Sequence, residues 1–384
     1  MKKILAVTGI RSEYFILQPI LDEIMKRDDL QLKLVVTGTH LSPTYGSTYK
    51  IIENDPYDII KLETLLSSDS LSGRSKSIGI QIMGLTDVVL REKPDWLLVL
   101  GDREESISTA LVGTYMNIPI AHVCGGDRVV GNIDDSIRHA VTKLAHLHFP
   151  TTKENGERIL KMGEEAWRIH VTGNPALDSI RKQPDLSYKY INEKLNTSLS
   201  AEKPFILLIK HPLSSEMEEA GEQMRITLEA VSELGLDTII TYPNSDAGSY
   251  DMIKIIDEFT KKYNFINAYK TLPRDVFVNL QRKAALLLGN SSAGILEAPF
   301  LKLPVVNIGN RQKQRQHADN ILYVPHNKEL IKEAIRKAVN DENFKETCKN
   351  CSNPYGDGYS GERIAQIIAE TEINKELLNK QIVY

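Results

Sequence analysis

Cysteine is scarce. The 384-residue chain has three, Cys124, Cys348 and Cys351, too few for a disulfide framework, and the expectation that follows is a reducing compartment. Long apolar runs are missing too, since no stretch approaches the ~18 residues that a membrane-spanning helix needs. The apolar opening Ile4-Leu5-Ala6-Val7 meets Arg11 and Glu13 almost at once with no small-residue cleavage site behind it, so it reads as a first strand and not as a secretion signal. There is no basic excess: 47 Lys and Arg stand against 51 Asp and Glu, a net charge of −4, which disfavours a nucleic-acid-coating role. Internal repeats and low-complexity tracts are absent. What is present, 41% hydrophobic and 26% charged residues, is ordinary for a globular chain and, at the usual ~150 residues per domain, enough for two cores. A soluble, cytoplasmic, two-domain protein is expected, with no membrane or nucleic-acid partner.

Short apolar, β-branched runs alternate with segments of helical period, the pattern of a parallel sheet with crossover helices. Strands are predicted at 4–8, 32–37, 96–100, 118–123, 147–150 and 169–172, and helices near 75–91, 104–116, 135–145 and 153–162. After Ile4 to Thr8, the residues Ile16, Leu17, Ile20, Leu21, Ile24 and Met25 share one helix face. A polar, helix-poor stretch around 183–186 separates a second series, with strands at 205–209, 238–242, 265–268, 285–288 and 305–308. The fold class is therefore α/β, two Rossmann-like domains facing across a cleft, with ligands expected beyond the carboxyl ends of the strands. The last ten residues, 375–384, read as a polar helical tail.

Five predicted strand-end loops are rich in glycine and polar residues: Gly9-Ile10-Arg11-Ser12-Glu13, Gly101-Asp102-Arg103-Glu104-Glu105, His122-Val123-Cys124-Gly125-Gly126-Asp127, Lys210-His211-Pro212 and Gly289-Asn290-Ser291-Ser292-Ala293-Gly294. Any one alone reads as a capped helix start. Together they point to a site. The last loop, running into Ile295-Leu296-Glu297, offers backbone N–H groups and two hydroxyls at a helix start, which suits a diphosphate. Arg11 is a candidate for bidentate phosphate contact. Glu297, about one turn on, suits a ribose diol, so a nucleotide is favoured over inorganic phosphate.

Acid–base candidates gather elsewhere. Asp102 and Asp127 follow adjacent predicted strands, and Asp134-Asp135-Ser136-Ile137-Arg138-His139 opens a helix, so several carboxylates can converge. One of Asp134 and Asp135 reads as a helix cap. His122 and His139 read as core histidines, and His211 as the best ligand-contacting one. Two look-alikes are set aside. Gly356-Asp357-Gly358-Tyr359-Ser360-Gly361 spells a dinucleotide pattern, but no strand precedes it. Cys348-Lys349-Asn350-Cys351 has zinc-ligand spacing without a second pair, so no metal is expected.

These residues resemble the UDP-N-acetylglucosamine 2-epimerases, specifically the hydrolysing branch that makes N-acetylmannosamine for sialic acid synthesis. The likeness runs through Thr8-Gly9-Ile10-Arg11, Gly101-Asp102-Arg103, Gly131-Asn132-Ile133-Asp134 with Asp135 to His139, Lys210-His211-Pro212, Pro243-Asn244-Ser245-Asp246-Ala247-Gly248, Gly289-Asn290-Ser291-Ser292 and Gly309-Asn310-Arg311-Gln312. It implies a GT-B type fold: an N-terminal domain 1–175 for the sugar and the acid–base residues, a C-terminal domain 176–365 for UDP, and a helix 366–384 crossing back to the first domain. It also implies elimination of UDP across C1–C2 to a 2-acetamidoglucal, followed by hydration with inversion at C2, with no metal or redox cofactor, in a homodimer or homotetramer. Carried over by motif, Asp102, Asp127, Asp134 and His211 are the catalytic candidates. Arg11, His40, Arg103, Asn244, Ser291, Ser292, Gly294, Glu297 and Arg311 are the substrate- and UDP-binding ones.

One departure bears on the substrate. Many hydrolysing members carry Glu where this chain has Cys124, and Asp127 is then the carboxylate that takes over. A second branch, which acts on UDP-2,4-diacetamido-2,4,6-trideoxyglucose on the legionaminic acid route, also lacks that Glu. The motif at 243–248 looks closer to the UDP-N-acetylglucosamine enzymes, and the one at 134–139 to the hydrolysing group over the non-hydrolysing one. UDP-N-acetylglucosamine is the first expectation. The trideoxy sugar and the non-hydrolysing reaction are the alternatives, with a non-catalytic nucleotide-sugar-binding protein or a glycosyltransferase of the same architecture behind them.

Overall fold

All five residues of the strand Trp96–Leu100 are buried, and so are all five of Phe205–Ile209, as expected of central strands covered on both faces. Each lies in its own sheet. The structure, a computed structural model, describes residues 1–66, 70–128, 133–243, 248–313 and 315–383. It divides into two compact units, one of Met1–Arg181 with Tyr355–Tyr384 and one of Lys182–Pro354. Asn244, and Gly131 with Asn132, lie outside the described residues.

The first unit holds β1 (Lys2–Thr8), β2 (Leu30–Thr37), β3 (Ile59–Leu62), β4 (Trp96–Leu100), β5 (Ile120–Val123) and β6 (Leu147–Phe149). All pairings are parallel, in the order β3-β2-β1-β4-β5-β6. The second unit holds β7 (Phe205–Ile209), β8 (Asp237–Thr241), β9 (Ile266–Tyr269), β10 (Leu286–Gly289), β11 (Val305–Ile308) and β12 (Ile321–Val324). Its parallel order β12-β11-β10-β7-β8-β9 is the same arrangement counted from β7. In each sheet the order reverses once, between β1 and β4 and between β7 and β10, and a crevice opens at that reversal beyond the carboxyl ends.

The edge strands β3 and β12 have no counterpart in the sequence reading. Both are four residues long and only half-buried, so neither carries a continuous apolar signature. The strand expected at 169–172 reduces to a single bridge between His148 and Ile169. No helix among the described residues is long and apolar enough to cross a membrane.

The expected division at residue 366 falls inside a helix, Ser360–Glu370, which belongs wholly to the first unit. The return therefore starts earlier in the chain, at Tyr355. That helix adds Ile364, Ala365 and Ile368 to a core built on β1 and on Tyr14, Leu17, Ile20, Leu21 and Ile24 of the helix Arg11–Met25. The two helices approach so closely that a Cβ on Gly361 would stand 2.7 Å from the Pro19 carbonyl oxygen. The Ser360 and Gly361 amides also donate to the buried Asp178 carboxylate at 3.0 and 2.7 Å. The glycine-rich 356–361 segment is thus a helix start pinned to its own unit.

The tail departs from expectation as well. Only Lys375–Leu378 is helical, because the rest is held by side chains of the first unit. Arg168 donates to the carbonyls of Leu377 and Glu376, each at 2.8 Å. Lys380 reaches the carbonyls of Lys143 and Ala145 at 2.6 and 2.8 Å and Glu164 Oε2 at 2.7 Å. Glu164 is fully buried and is bonded also by Lys143 and His148. Burial works to raise its pKa, but hydrogen bonds from His148, Lys143 and Lys380 outweigh it and hold the carboxyl at about 2.

Lys380→Met should lower the unfolding free energy in urea by about 3 kcal/mol, by leaving a buried carboxylate short of a partner. Combining it with Glu164→Gln should cost less than the sum of the two. Because the folded pKa of Glu164 lies below the ordinary 4.5, its contribution is complete above that value and drains away as pH falls toward about 2. The Glu164→Gln chain should accordingly lose less stability than its parent on acidification through that window.

Candidate active site

In the first unit the polar residues past β1, β4 and β5 form one connected cluster. His122 at the end of β5 is fully buried. Its Nε2–H donates to the Gly101 carbonyl at 2.8 Å, and its Nδ1 lies 3.3 Å from the Thr142 hydroxyl. Burial lowers its pKa to about 3, so a neutral ring ties the turn after β4 to the helix Ile133–Leu144. This is the core histidine expected from sequence, and it places Asp102 and Arg138 opposite one another.

Arg138 is the centre of the cluster. Its buried guanidinium pairs with Asp102 and lies 3.4 Å from Asp127 Oδ2, so one residue gathers carboxylates from two strand ends. Asp134 stands one turn before it on the same helix face. Its charge joins Glu105, Glu104 and Glu13 in raising the Arg103 pKa against the effect of burial. Asp102 and Asp127 are therefore brought together on Arg138, with Asp134 one helical turn from that arginine. Arg138 was visible in the motif, but two carboxylates apart in sequence gave no sign that one cation would hold both.

Other expected ligand contacts are built into the walls. Arg103 lies 3.4 Å from both Glu104 and Glu105. His40 is fully buried, with Nε2 at 3.1 Å from the Thr8 hydroxyl and Nδ1 at 2.8 Å from that of Thr48. Both ring nitrogens are occupied and burial lowers its pKa to about 4, so His40 is a structural bridge from β1 and not a substrate ligand. Arg11 is exposed, its guanidinium 5.5 Å above the Phe15 ring.

Two residues of the cluster stand out: Cys124, which the sequence marks as a departure from the family, and Glu13, which sequence reasoning passed over. Cys124 has a left-handed backbone, φ +61°, a conformation that costs energy for a non-glycine residue. Burial, then Asp127 and Glu13, push its thiol well above the ordinary range, so it is neutral. Glu13, in the first turn of its helix, is driven up to about 8 by burial and the neighbouring Glu105. A glutamate at that position reads from sequence as a helix cap, which hid it.

In the second unit the loops after β7, β10 and β11 are clamped by Asn290. Its side chain accepts from the His211 amide at 2.7 Å and donates to the His211 carbonyl at 2.8 Å, while Arg311 and Gln312 donate to its own carbonyl at 3.2 and 3.1 Å. Gly289, at φ +131°, permits this, since a Cβ there would stand 2.0 Å from the Ile209 carbonyl oxygen. Glu297 accepts from Gln281 at 2.7 Å and pairs with Arg274 at 3.4 Å. His211, Ser291 and Arg311 are thus drawn together around Asn290, with Ser292 and Glu297 following on the segment after β10. Gly294 plays a different part from the one expected: its amide bonds the Ser291 carbonyl at 3.1 Å and its α-carbon packs on Val305, so it shapes the turn and offers no donor.

The sequence profile described as UDP-N-acetylglucosamine 2-epimerase matches residues 22–369. The chain belongs to that family. Among its relatives, a UDP-N,N'-diacetylbacillosamine 2-epimerase (hydrolyzing) of Legionella pneumophila is 33% identical over 100% of both chains. A UDP-N-acetylglucosamine 2-epimerase of Neisseria meningitidis is 31% identical over 97% of this chain and 96% of its own. The crystal structure of a Neisseria meningitidis UDP-GlcNAc 2-epimerase bound to UDP-GlcNAc superposes with a TM-score of 0.80 at 21% identity, over 96% of this chain and 100% of that one. For a 2-epimerase family member, Arg138→Met should lower turnover, followed as release of UDP, by at least ~100-fold, because Asp102 and Asp127 lose their shared counter-charge. Arg138→Lys, with the charge but without the two-sided reach, should fall between.

Proposed function

We propose that the chain is a hydrolysing UDP-sugar 2-epimerase, releasing UDP and the free 2-epimer of a 2-acetamido sugar. The observation that carries this reading is the Arg138 bridge, which holds Asp102 and Asp127 together beside Asp134. Inversion at C2 needs a proton removed on one face and returned on the other, hence more than one acid–base group. The C2 hydrogen is weakly acidic, so a carboxylate succeeds only when the departing UDP is stabilised as it gains charge. On this reading Asp102, Asp127 and Asp134 handle the protons. The nucleotide is held by His211, Ser291, Ser292, Glu297 and Arg311, with Arg11 and Asn244 assigned to the same task by motif. Elimination followed by hydration, so written, requires no metal or redox cofactor. A cytoplasmic homodimer or homotetramer completes the proposal.

For the sugar we favour a UDP-2,4-diacetamido-2,4,6-trideoxy hexose. Two relatives named as hydrolysing diacetylbacillosamine 2-epimerases, at 33% and 34% identity, support it, as does the neutral thiol at Cys124 where the UDP-N-acetylglucosamine branch carries Glu. UDP-N-acetylglucosamine remains the second reading, supported by the Neisseria relative and by the 243–248 motif.

Proton and phosphorus NMR in D2O with each sugar nucleotide tests both. The expected products are free UDP and the free 2-epimer with deuterium at C2, formed faster from the diacetamido substrate. Accumulation of the UDP-linked epimer would instead indicate the non-hydrolysing reaction, and no UDP from either compound would sink the reading. Among variants, Asp102→Asn and Asp134→Asn should lower kcat by ~10²–10⁴. Ser292→Ala and Glu297→Ala should instead weaken UDP binding by about tenfold, roughly 1.4 kcal/mol, in calorimetric titration.

A further inference from the structure

Glu13 occupies the third position of the helix Arg11–Met25, counted from the N-cap Ile10. A glutamate there commonly folds back onto the N-cap amide. Here it does not: among the described residues no hydrogen bond or ion pair holds the Glu13 carboxyl. Of the buried carboxylates of the first unit, Glu164 is held by two lysines and a histidine and Asp178 by two backbone amides, while Glu105 has the Arg103 guanidinium at 3.4 Å without a hydrogen bond. Glu13 is half-buried, and a carboxyl there that no protein group holds lacks a structural task.

Its position supplies one. Glu13 Oε1 lies 3.4 Å from the point where a Cβ on Gly101 would project, so it sits against the backbone that carries Asp102. On the β5 side it and Asp127 are the two acidic groups that raise the Cys124 thiol pKa beyond the effect of burial. The groups that face it are Glu105, Arg103, Glu104 and Arg138, together with Cys124. Burial and Glu105, the two largest influences, both favour the proton-bearing form and move its pKa to about 8. It therefore enters a reaction at neutral pH as an acid, whereas Asp102 is held in an ion pair by Arg138.

We propose that Glu13 is a catalytic acid of the reaction, the group that delivers a proton to C2 of the unsaturated sugar in the hydration half. This rests on the hydrolysing reading above. In the first half, a carboxylate takes the C2 proton, the C–H pair becomes the C1–C2 double bond, and UDP leaves with the C1–O pair. In the second half, the double-bond pair takes the Glu13 proton at C2 and water oxygen bonds to C1. The proton lost by that water restores the Glu13 carboxyl. The proton removed first passes to solvent, so the sum is sugar nucleotide plus water giving free sugar, UDP and one proton.

The test is Glu13→Gln, which keeps the shape and neutrality of the acid and removes its proton. Wild type and variant are compared by NMR with the sugar nucleotide, and separately with the isolated 2-acetamidoglucal plus UDP. The variant is expected to keep its thermal midpoint, release UDP, accumulate the glycal and hydrate added glycal at least ~100-fold more slowly. Free 2-epimer formed within about threefold of the wild-type rate, or loss of elimination and hydration together, would overturn the assignment. A wild-type chain that releases no UDP would overturn the hydrolysing reading itself, a distinguishable result. Should Glu13→Gln not fold, the wild type decides. Its glycal hydration must fall by about tenfold per pH unit above about 8, and a flat profile through that range overturns the proposal.

Discussion

Both sheets are parallel and covered on both faces, and this single constraint decides where the chemistry can be. Along β4 every side chain from Trp96 to Leu100 is buried, so the first site for a charged group is the turn that follows, where Asp102 stands. The second unit repeats the solution. β7 is apolar through Ile209, and the next residue, Lys210, is also fully buried. Its amino group is absorbed by the Gln223 carbonyl, the Thr227 hydroxyl and His326 at 2.6, 2.8 and 3.3 Å, and burial takes its pKa down to about 7. Lys210 is an internal strut, and His211 is the first residue past it. Because the two sheets share one strand order, the same reversal point carries a carboxylate–arginine cluster in one unit and a hydroxyl-rich loop in the other.

Within the first unit the charges are arranged by depth. His122, neutral and dry, fixes the backbone of the β4 turn to the helix Ile133–Leu144. Arg138 lies above it and binds two carboxylates at once. Around that ion-paired layer are groups kept uncharged by their surroundings, the Cys124 thiol and the Glu13 carboxyl. A cluster in which every one of these carboxylates was ionised would carry more negative charge than Arg103 and Arg138 can balance, and would repel itself where the dielectric is low. Holding some members neutral resolves this, and it also sets apart groups that begin as acids from groups that begin as bases.

The sequence was legible where burial writes a strong pattern. The central strands β1, β4, β7 and β10 are continuous apolar runs, and the loops after them showed their polar residues in the open. It was illegible where the deciding partner is remote in sequence. The edge strands β3 and β12 are half-exposed and short. The tail reads as a helix by its residues alone, but Arg168, from the far side of the unit, takes its carbonyls. His40 and Gly294 fall on motif positions, yet their polar atoms are already bonded within the fold. Glu13 failed to stand out for the opposite reason: its residue type and position match a common cap so well that only the missing bond distinguishes it.

The chain leaves the first unit at Arg181 and comes back at Tyr355, with Ile364, Ala365, Ile368 and Leu377 completing a core begun by Ile4 and Ala6. During synthesis, therefore, the amino-terminal sheet emerges from the ribosome first and is finished last. It must wait, with the face of the helix Arg11–Met25 uncovered, until the inserted unit and the returning segment from Tyr355 have been made. The inserted unit has its strands in one uninterrupted stretch and can close its core beforehand. A chain ending anywhere before Ser360 would leave the first unit with an open apolar face beside a second unit whose strands are all present.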